Sequence, residues 1–208
     1  MINQILNGKL ISFIRQENKL SKRSLFYWLT IIFNSCFVIH ILQTELCTSS
    51  VDKKRIEEVG PDQACAEWLL KNGAYIKWKN SPEYLKDYNI LIKQTETNYI
   101  QSIEAENAGI TYVGFPYFDG CKHIEEVKFI RCPYICNKAM SSLSYLKESL
   151  THLEVIECAS VTDEGLYKLK NLQKLKILKL EGMPYLKNPD DVRKQLMEFL
   201  PNAKIQLK

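Results

Sequence analysis

Apolar residues in the second half of the chain recur in a fixed frame. Starting at Ile124, the frame reads Ile124-x-x-Val127-x-Phe129-x-x-Cys132-x-x-Ile135. Moved on by 26 positions it falls on Leu150, Leu153, Val155, Cys158 and Val161, and by a further 25 on Leu175, Leu178, Leu180, Met183 and Leu186. A partial copy holds Leu200, Ala203 and Ile205. A weaker copy precedes Ile124 by 24 positions, at Ile100, Ile103, Ala105 and Ala108, with Thr111 in the last place. Alternate positions in the central triplet predict a short strand with one face buried.

The frame L-x-x-L-x-L-x-x-C/N is the spacing of a leucine-rich repeat. Each strand is expected to pair in parallel with the strand of the next repeat. A cysteine or other small residue then turns the backbone off the strand, and the remaining residues return on the convex side. "SVTDEGLYKLKNL" is such a return: Thr162 or Asp163 can cap a helix whose buried stripe is Leu166, Leu169 and Leu172. "DDVRKQLMEFL" predicts a closing helix with Val192, Leu196, Phe199 and Leu200 on one side, ended by Pro201 and followed by a last strand in "AKIQL". The predicted fold class is α/β: a right-handed leucine-rich repeat solenoid of about four and a half repeats over residues 99–208.

Residues 51–98 follow another pattern. "VDKKRIEEVGPDQACAEWLLKNGAYIKWKN" opens with a short amphipathic helix, Ile56 inward and Val51, Arg55 and Glu58 outward. Gly60 ends it. Pro61 suits the first turn of a second helix, in which Ala64, Trp68 and Leu69 share a face and which Gly73 closes. "AYIKWK" alternates as a strand, and "SPEYLKDYNIL" predicts another short helical piece. So short a segment holds no core alone. It is expected to be a small helical module capping the open N-terminal edge of the repeat stack.

Residues 1–50 bring in charge and hydropathy. Lys9, Arg15, Lys19, Lys22 and Arg23 stand against one acid, Glu17, in residues 1–24, with Ile5, Leu6, Leu10, Ile11, Phe13 and Ile14 between them. A basic, acid-poor, amphipathic start suits a mitochondrial presequence. Residues 24–43 then carry no charge. As a helix, residues 25–42 would reach about 27 Å, near the thickness of a bilayer core, so hydropathy makes them a candidate span. The net charge of +4 over 208 residues demands no nucleic acid, and no RNP, zinc-finger or basic-helix pattern is present. The seven cysteines are odd in number and no His pair lies at zinc spacing, so they read as reduced thiols.

Catalytic patterns are missing: there is no G-x-S-x-G, Walker A loop, G-x-G-x-x-G or H-E-x-x-H. His123 and His152 precede successive repeat strands and read as edge residues. Asp62 and Asp87 read as solvated or capping carboxylates, and Cys132 and Cys158 as turn residues. A recognition or assembly protein is expected rather than an enzyme. In such a protein the default docking surface is the concave strand face, here with Lys128, Glu154 and Lys179 exposed between core positions.

Several blocks carry a family resemblance: "VGPDQACAEWLLKNGAYIKW", "KDYN", "HIEEVKFIRCPYI", "CASVTDEGLYKLKNLQKLKILKL" and "LPNAKIQLK". Together they resemble the mitochondrial ATP synthase subunit s (coupling factor B) family, over residues 22–34 and 51–208. The resemblance implies a peripheral protein on the matrix side of the mitochondrial inner membrane. It would associate with membrane-sector subunits of ATP synthase and limit a proton leak. It also implies a magnesium ion held by main-chain carbonyls at Gly60, in "VGPD", and near Lys93, where this chain has "IKQ" in place of the family's "PTG" turn. The family's C-x-C thiol pair reads Ile130 and Cys132 here, which leaves Cys132 with Cys136 as the candidate redox thiols. A related branch implies an alternative, an assembly factor for the distal membrane arm of respiratory complex I. A third reading is a substrate adaptor with cysteine-containing repeats, although the F-box opening expected before such repeats is absent.

The family pattern passes directly from its aromatic stretch to "VD-x-x-RI", whereas residues 35–50 stand between them here. They read as an insertion, either a lineage-specific anchor or a translated intron. Without them the uncharged run shortens to about ten residues, too short to span.

Overall fold

The computed structural model describes residues 51–93 and 98–208. Helices α1 (Lys53–Val59) and α2 (Pro61–Lys71) lead to strands β1 (Ala74–Trp78) and β2 (Tyr84–Leu85) and the one-turn helix α3 (Tyr88–Leu91). Strands β3 (Ile100–Glu106), β4 (Glu126–Ile130), β5 (His152–Ile156), β6 (Ile177–Glu181) and β7 (Lys204–Leu207) follow. Between them lie a 3-10 segment (Tyr112–Phe118), α4 (Asn137–Ser142), α5 (Asp163–Tyr167) and α6 (Pro189–Phe199). The fold is α/β. Its single seven-stranded sheet has the order β2-β1-β3-β4-β5-β6-β7, with β3 to β7 parallel and β1 antiparallel to both of its neighbours.

The recurring frame sets this register. Phe129, Val155 and Leu180 pair across β4, β5 and β6, as do Val127, Leu153 and Leu178, and all six are fully buried. Each such side chain contributes about 1.5–3 kcal/mol on burial. The turning positions repeat as well. The buried Cys132 thiol donates to the Ala105 carbonyl at 3.2 Å, and one repeat later the Cys158 thiol donates to the Phe129 carbonyl at 3.7 Å.

Just before each turning position the backbone enters the left-handed region, at Asn107, Arg131, Glu157 and Gly182 (φ 51°, 50°, 52° and 66°). Each of these amides donates to a carbonyl one repeat onward: Ile130, Ile156, Glu181 and Lys208 respectively. The kink therefore carries the ladder past the end of each strand. Only Gly182 of the four is free of the side-chain penalty for this conformation.

At the N-terminal side, α2 is buried on more than the single face predicted, with Asp62, Cys65, Ala66, Glu67 and Leu70 also enclosed. Trp68 is the reason. Its ring stacks on Tyr117 at 5.6 Å between centroids and meets Phe118 edge-on at 5.6 Å, so the 3-10 segment closes over the helix. Gly114 permits this approach, since a Cβ there would lie 2.2 Å from the Trp68 ring.

Two local expectations are corrected. "SPEYL" is not helical: Tyr84 and Leu85 pair with Lys77 and Ile76, and only Tyr88–Leu91 coils, capped by Asp87. Thr162 does occupy the N-cap position of α5, but its side chain does not cap. Its hydroxyl accepts instead from the Asn137 amide at 2.8 Å, tying α5 to the preceding repeat. The uncharged run and residues 35–50 lie outside the described residues. Among those described, no helix is long and apolar enough to cross a membrane.

The left-handed ladder yields a paired test. A Cβ on Gly182 would meet Glu157 Cγ at 2.8 Å as well as the φ penalty, so Gly182→Ala should cost about 1–2 kcal/mol. Glu157→Gly, at the equivalent place one repeat earlier, relieves the penalty and should leave stability equal or higher by up to about 1 kcal/mol. Urea unfolding of both variants measures the difference.

Candidate functional site

Three sequence-predicted positions meet on the outward face of the parallel strands. The β4–β5 and β5–β6 registers place Lys128, Glu154 and Lys179 in one row. Lys128 Nζ lies 3.8 Å from Glu154 Oε1, and Lys179 Nζ lies 3.5 Å from Glu154 Oε2. Glu154 is thus a hub, and its side chain is only 14% exposed. The neighbouring row extends the network: the Tyr84 and Ser102 hydroxyls are bonded at 2.8 Å, and Ser102 donates to Glu126 at 2.8 Å. Glu126 in turn bonds Lys128 at 3.1 Å. His152 lies 3.2 Å from Glu154 and 3.8 Å from Glu126.

Burial works against the charge on Glu126. The Ser102 hydroxyl, Lys128 and His152 outweigh it and hold the carboxyl below its ordinary range. Burial likewise opposes the Lys128 ammonium, yet Glu126 and Glu154 raise it above the usual lysine value. Charge at the centre of this face is therefore fixed and internally balanced. Glu126, His152 and Glu154 bring donor atoms within 4.8 Å of one another, a spacing that metals use. Here the Lys128 ammonium bonds both carboxylates and supplies the positive charge that a metal would bring.

A second feature is a cleft of about 640 Å³ at the start of α2, lined by Arg55, Gly60, Asp62, Glu67, Ile92 and His123 among others. Gly60 and Ile92 both line it, and Lys93, the next residue after Ile92, is not among the lining residues. The Gly60 amide donates to Ile56 at 2.9 Å and its carbonyl accepts from Ala64 at 3.1 Å, which leaves that oxygen one lone pair. Nearby carboxylates are committed. Glu67 takes both the Nε (3.1 Å) and NH2 (2.6 Å) of Arg55, and Asp62 accepts from the Ile100 amide at 2.9 Å. Neutral carbonyls with engaged acids suit an ion that keeps most of its water, as magnesium does.

The thiols sit differently. Burial pushes the Cys132 thiol above its usual value, and burial pushes that of Cys158 up to about 11. Cys136 is half-buried at the N-cap position of α4, while Cys132 points its sulfur at Ala105. Cys65 is fully enclosed; burial first, then the neighbouring Cys121 thiol and Asp62, raise it well above the ordinary value.

Sequence reasoning missed Glu126, His152 and Ser102, although a signal existed. His152 follows Glu126 by the same 26 positions that separate Lys128 from Glu154, so the repeat frame already placed them side by side. Asp62 carried no such signal. It was expected to be solvated or capping, yet it is 6% exposed and ties α2 to β3.

Among known proteins, the chain is 34% identical over 184 residues to a Rattus norvegicus protein named "ATP synthase subunit s, mitochondrial", covering 86% of this chain and 84% of that protein. Proteins of the same name from Homo sapiens and Bos taurus are each 32% identical over the same shares of both chains. No protein-family model matches the sequence.

The buried Asp62 gives a pH-dependent test. Burial raises its pKa, and the Ile100 amide and His123 offset this only in part. The folded carboxyl binds a proton more readily than the unfolded one. Its ionised form therefore opposes folding at neutral pH, and that opposition fades as pH falls through the folded pKa toward the unfolded one. Asp62→Asn keeps an acceptor for Ile100 and should change stability at neutral pH by less than about 1 kcal/mol, or raise it. Asp62→Ala strands a buried amide and should cost about 1–3 kcal/mol. Urea melts from neutral to about pH 4 should show the wild type gaining on the Asn variant.

Proposed function

The chain belongs to the mitochondrial ATP synthase subunit s family, and on that premise we propose that it is a non-enzymatic coupling factor. It associates with the membrane sector of ATP synthase on the matrix side of the inner membrane and supports proton-coupled synthesis by limiting a proton leak. The observation that carries this reading is the likeness to relatives of that name along most of both chains. The architecture supports it: parallel strands recurring every 24–27 residues fit a leucine-rich repeat solenoid over residues 99–208, with residues 51–98 as its cap. Such a stack offers a broad, rigid strand face for another protein.

On that face Lys128, Glu154 and Lys179 form the docking row. Their mutual pairing fixes the side chains before the partner arrives, which lowers the ordering cost of association. The Gly60 and Lys93 carbonyls hold a largely hydrated magnesium ion. When bound, the ion supplies a structural tie between the α1–α2 junction and the turn after α3. Of the two residues, Gly60 lines the cleft, where its carbonyl keeps one lone pair, and Lys93 follows Ile92, which lines it too.

Gentle purification of ATP synthase should recover the full chain with the complex, and co-migration with complex I intermediates instead would contradict the proposal. Reversing all four paired charges together (Glu126→Lys, Lys128→Glu, Glu154→Lys and Lys179→Glu) keeps these internal pairs while reversing the outward pattern. It should retain the melting temperature and weaken recovery about tenfold; undiminished recovery would move the docking site off the strand face. For magnesium, saturating metal should raise the melting temperature over a chelated sample by about 2 °C or more, and identical melts would remove the ion from the account.

A further inference from the structure

The ends of the parallel strands differ in charge. Residues 51–208 as a whole are almost neutral, with 23 Lys and Arg against 22 Asp and Glu. At the edge where the chain enters β5, β6 and β7, however, stand six exposed lysines: Lys147, Lys168, Lys170, Lys174, Lys176 and Lys204. Their positions are tied together. Lys147 and Lys170 line one shallow depression with Ser144, Asn171 and Gln173. Lys174 reaches the Glu148 carbonyl at 2.8 Å, and the Lys204 amide donates to the Lys176 carbonyl at 2.7 Å. Among the described residues, only Lys174 of the six has an ion pair, to Glu148 at 3.2 Å. Glu198, near the end of α6, and the exposed Glu125, whose carbonyl accepts from the Thr151 and His152 amides, are further acids at this border. The opposite edge is richer in acids, with Glu106, Glu157 and Glu181 at the strand ends and Asp163, Glu164, Asp190 and Asp191 in the first turns of α5 and α6, against Arg131, which pairs with Glu106, and Lys138, Lys187 and Lys208.

Helix dipoles explain part of this asymmetry, since acids favour the first turn of a helix and bases the last. They account for Lys168 and Lys170, which close the α5 return. They do not account for Lys174, Lys176 and Lys204, which lie beyond it in loop and strand. Two further observations point to the partner. All six cations are lysine, a hydrated point charge, and none is arginine, whose planar fork recognises individual carboxylates. Exposed Tyr145 (46%) and Met197 (52%) also lie on the elements that run into this edge, adding apolar or amphipathic surface of the kind that settles at a headgroup boundary.

We propose that the lysine edge at the entry to β5–β7 docks on an anionic phospholipid surface, with the acidic edge turned away. The depression between Lys147 and Lys170 receives a headgroup phosphate, with the Ser144 hydroxyl as a hydrogen-bond donor, while the Gln173 amide is held by the Lys170 and Phe199 carbonyls and shapes the wall. Docked in this way, the sheet stands edge-on to the bilayer and its outward strand face stays free for a protein. The inference deepens the proposed role beside a membrane complex and rests on it for location.

The test uses the full chain and phosphatidylcholine vesicles with and without about 20 mol% anionic phospholipid. The edge variant is Lys147→Glu, Lys170→Glu, Lys176→Glu and Lys204→Glu. A control of equal charge change is Lys53→Glu, Lys54→Glu, Lys138→Glu and Lys187→Glu. All eight side chains are exposed, so both variants should melt with the wild type, and Lys→Gln at the four edge positions gives a milder second series. Co-sedimentation with anionic vesicles should fall about tenfold or more in the edge variant and less than about threefold in the control. Equal losses in both, or none in the edge variant, overturn the proposal. Recovery with ATP synthase is read separately. An edge variant that leaves vesicles but stays with the complex supports the lipid edge and leaves the functional reading intact. An edge variant that keeps vesicle binding while losing the complex makes this edge a protein contact and overturns the proposal. A wild-type chain absent from the complex yet bound to anionic vesicles through these lysines upholds the edge and removes the functional reading.

Discussion

A parallel sheet built from consecutive turns of one chain has a strict closure condition. After each circuit the backbone must return about 4.8 Å from where it began, in register, with the same side chains facing inward. In this protein the condition is met by a circuit of 24–27 residues, and the kinked residue before each turn carries the hydrogen-bond ladder past the strand end. The other structural features follow from it. The Cys132 and Cys158 thiols sit on carbonyls one repeat back, Asn137 reaches forward to Thr162, and Arg131 bonds Glu106 and Asn107 of the preceding repeat. A side chain chosen at one level therefore meets a neighbour a fixed number of positions away.

The same closure explains where recognition surfaces arise. Inward positions are consumed by the core, so outward positions form rows that differ in chemistry. The middle of the strand face is a cross-linked set of Glu126, Lys128, His152, Glu154 and Lys179, rigid and close to neutral. The two strand ends are less densely paired, and the balance of charge differs between them, lysines prevailing at one and acids at the other. A rigid balanced face suits a shaped protein partner, and a lysine edge suits a diffuse negative surface. One orientation on a membrane satisfies both.

Periodicity made most of the sheet legible. Phe129, Val155 and Leu180 announced their row because identical residue classes recur at a fixed interval, and Pro201 marked the end of α6. Features set by a contact outside that interval were hidden. "SPEYL" reads as helical by composition, yet pairing with β1 makes it a strand. The burial of Asp62 depends on the Ile100 amide, 38 positions away and outside any repeat. The left-handed backbone at Arg131 and Glu157 was unreadable because neither residue favours it, whereas Gly182 at the matching place is the type that does. Of the site, the row of Lys128, Glu154 and Lys179 was visible from spacing. The cleft beside Gly60 was not, because its walls come from segments far apart in sequence.

The ladder itself is open to direct observation. Through-hydrogen-bond scalar couplings, measured by NMR on the deuterated full chain, report which carbonyl each amide meets. The account predicts couplings from the Arg131 amide to the Ile156 carbonyl and from the Glu157 amide to the Glu181 carbonyl, with slow exchange at both. Couplings to other carbonyls, or rapid exchange at both amides, would contradict the stacked register on which the proposed docking face and lysine edge are built.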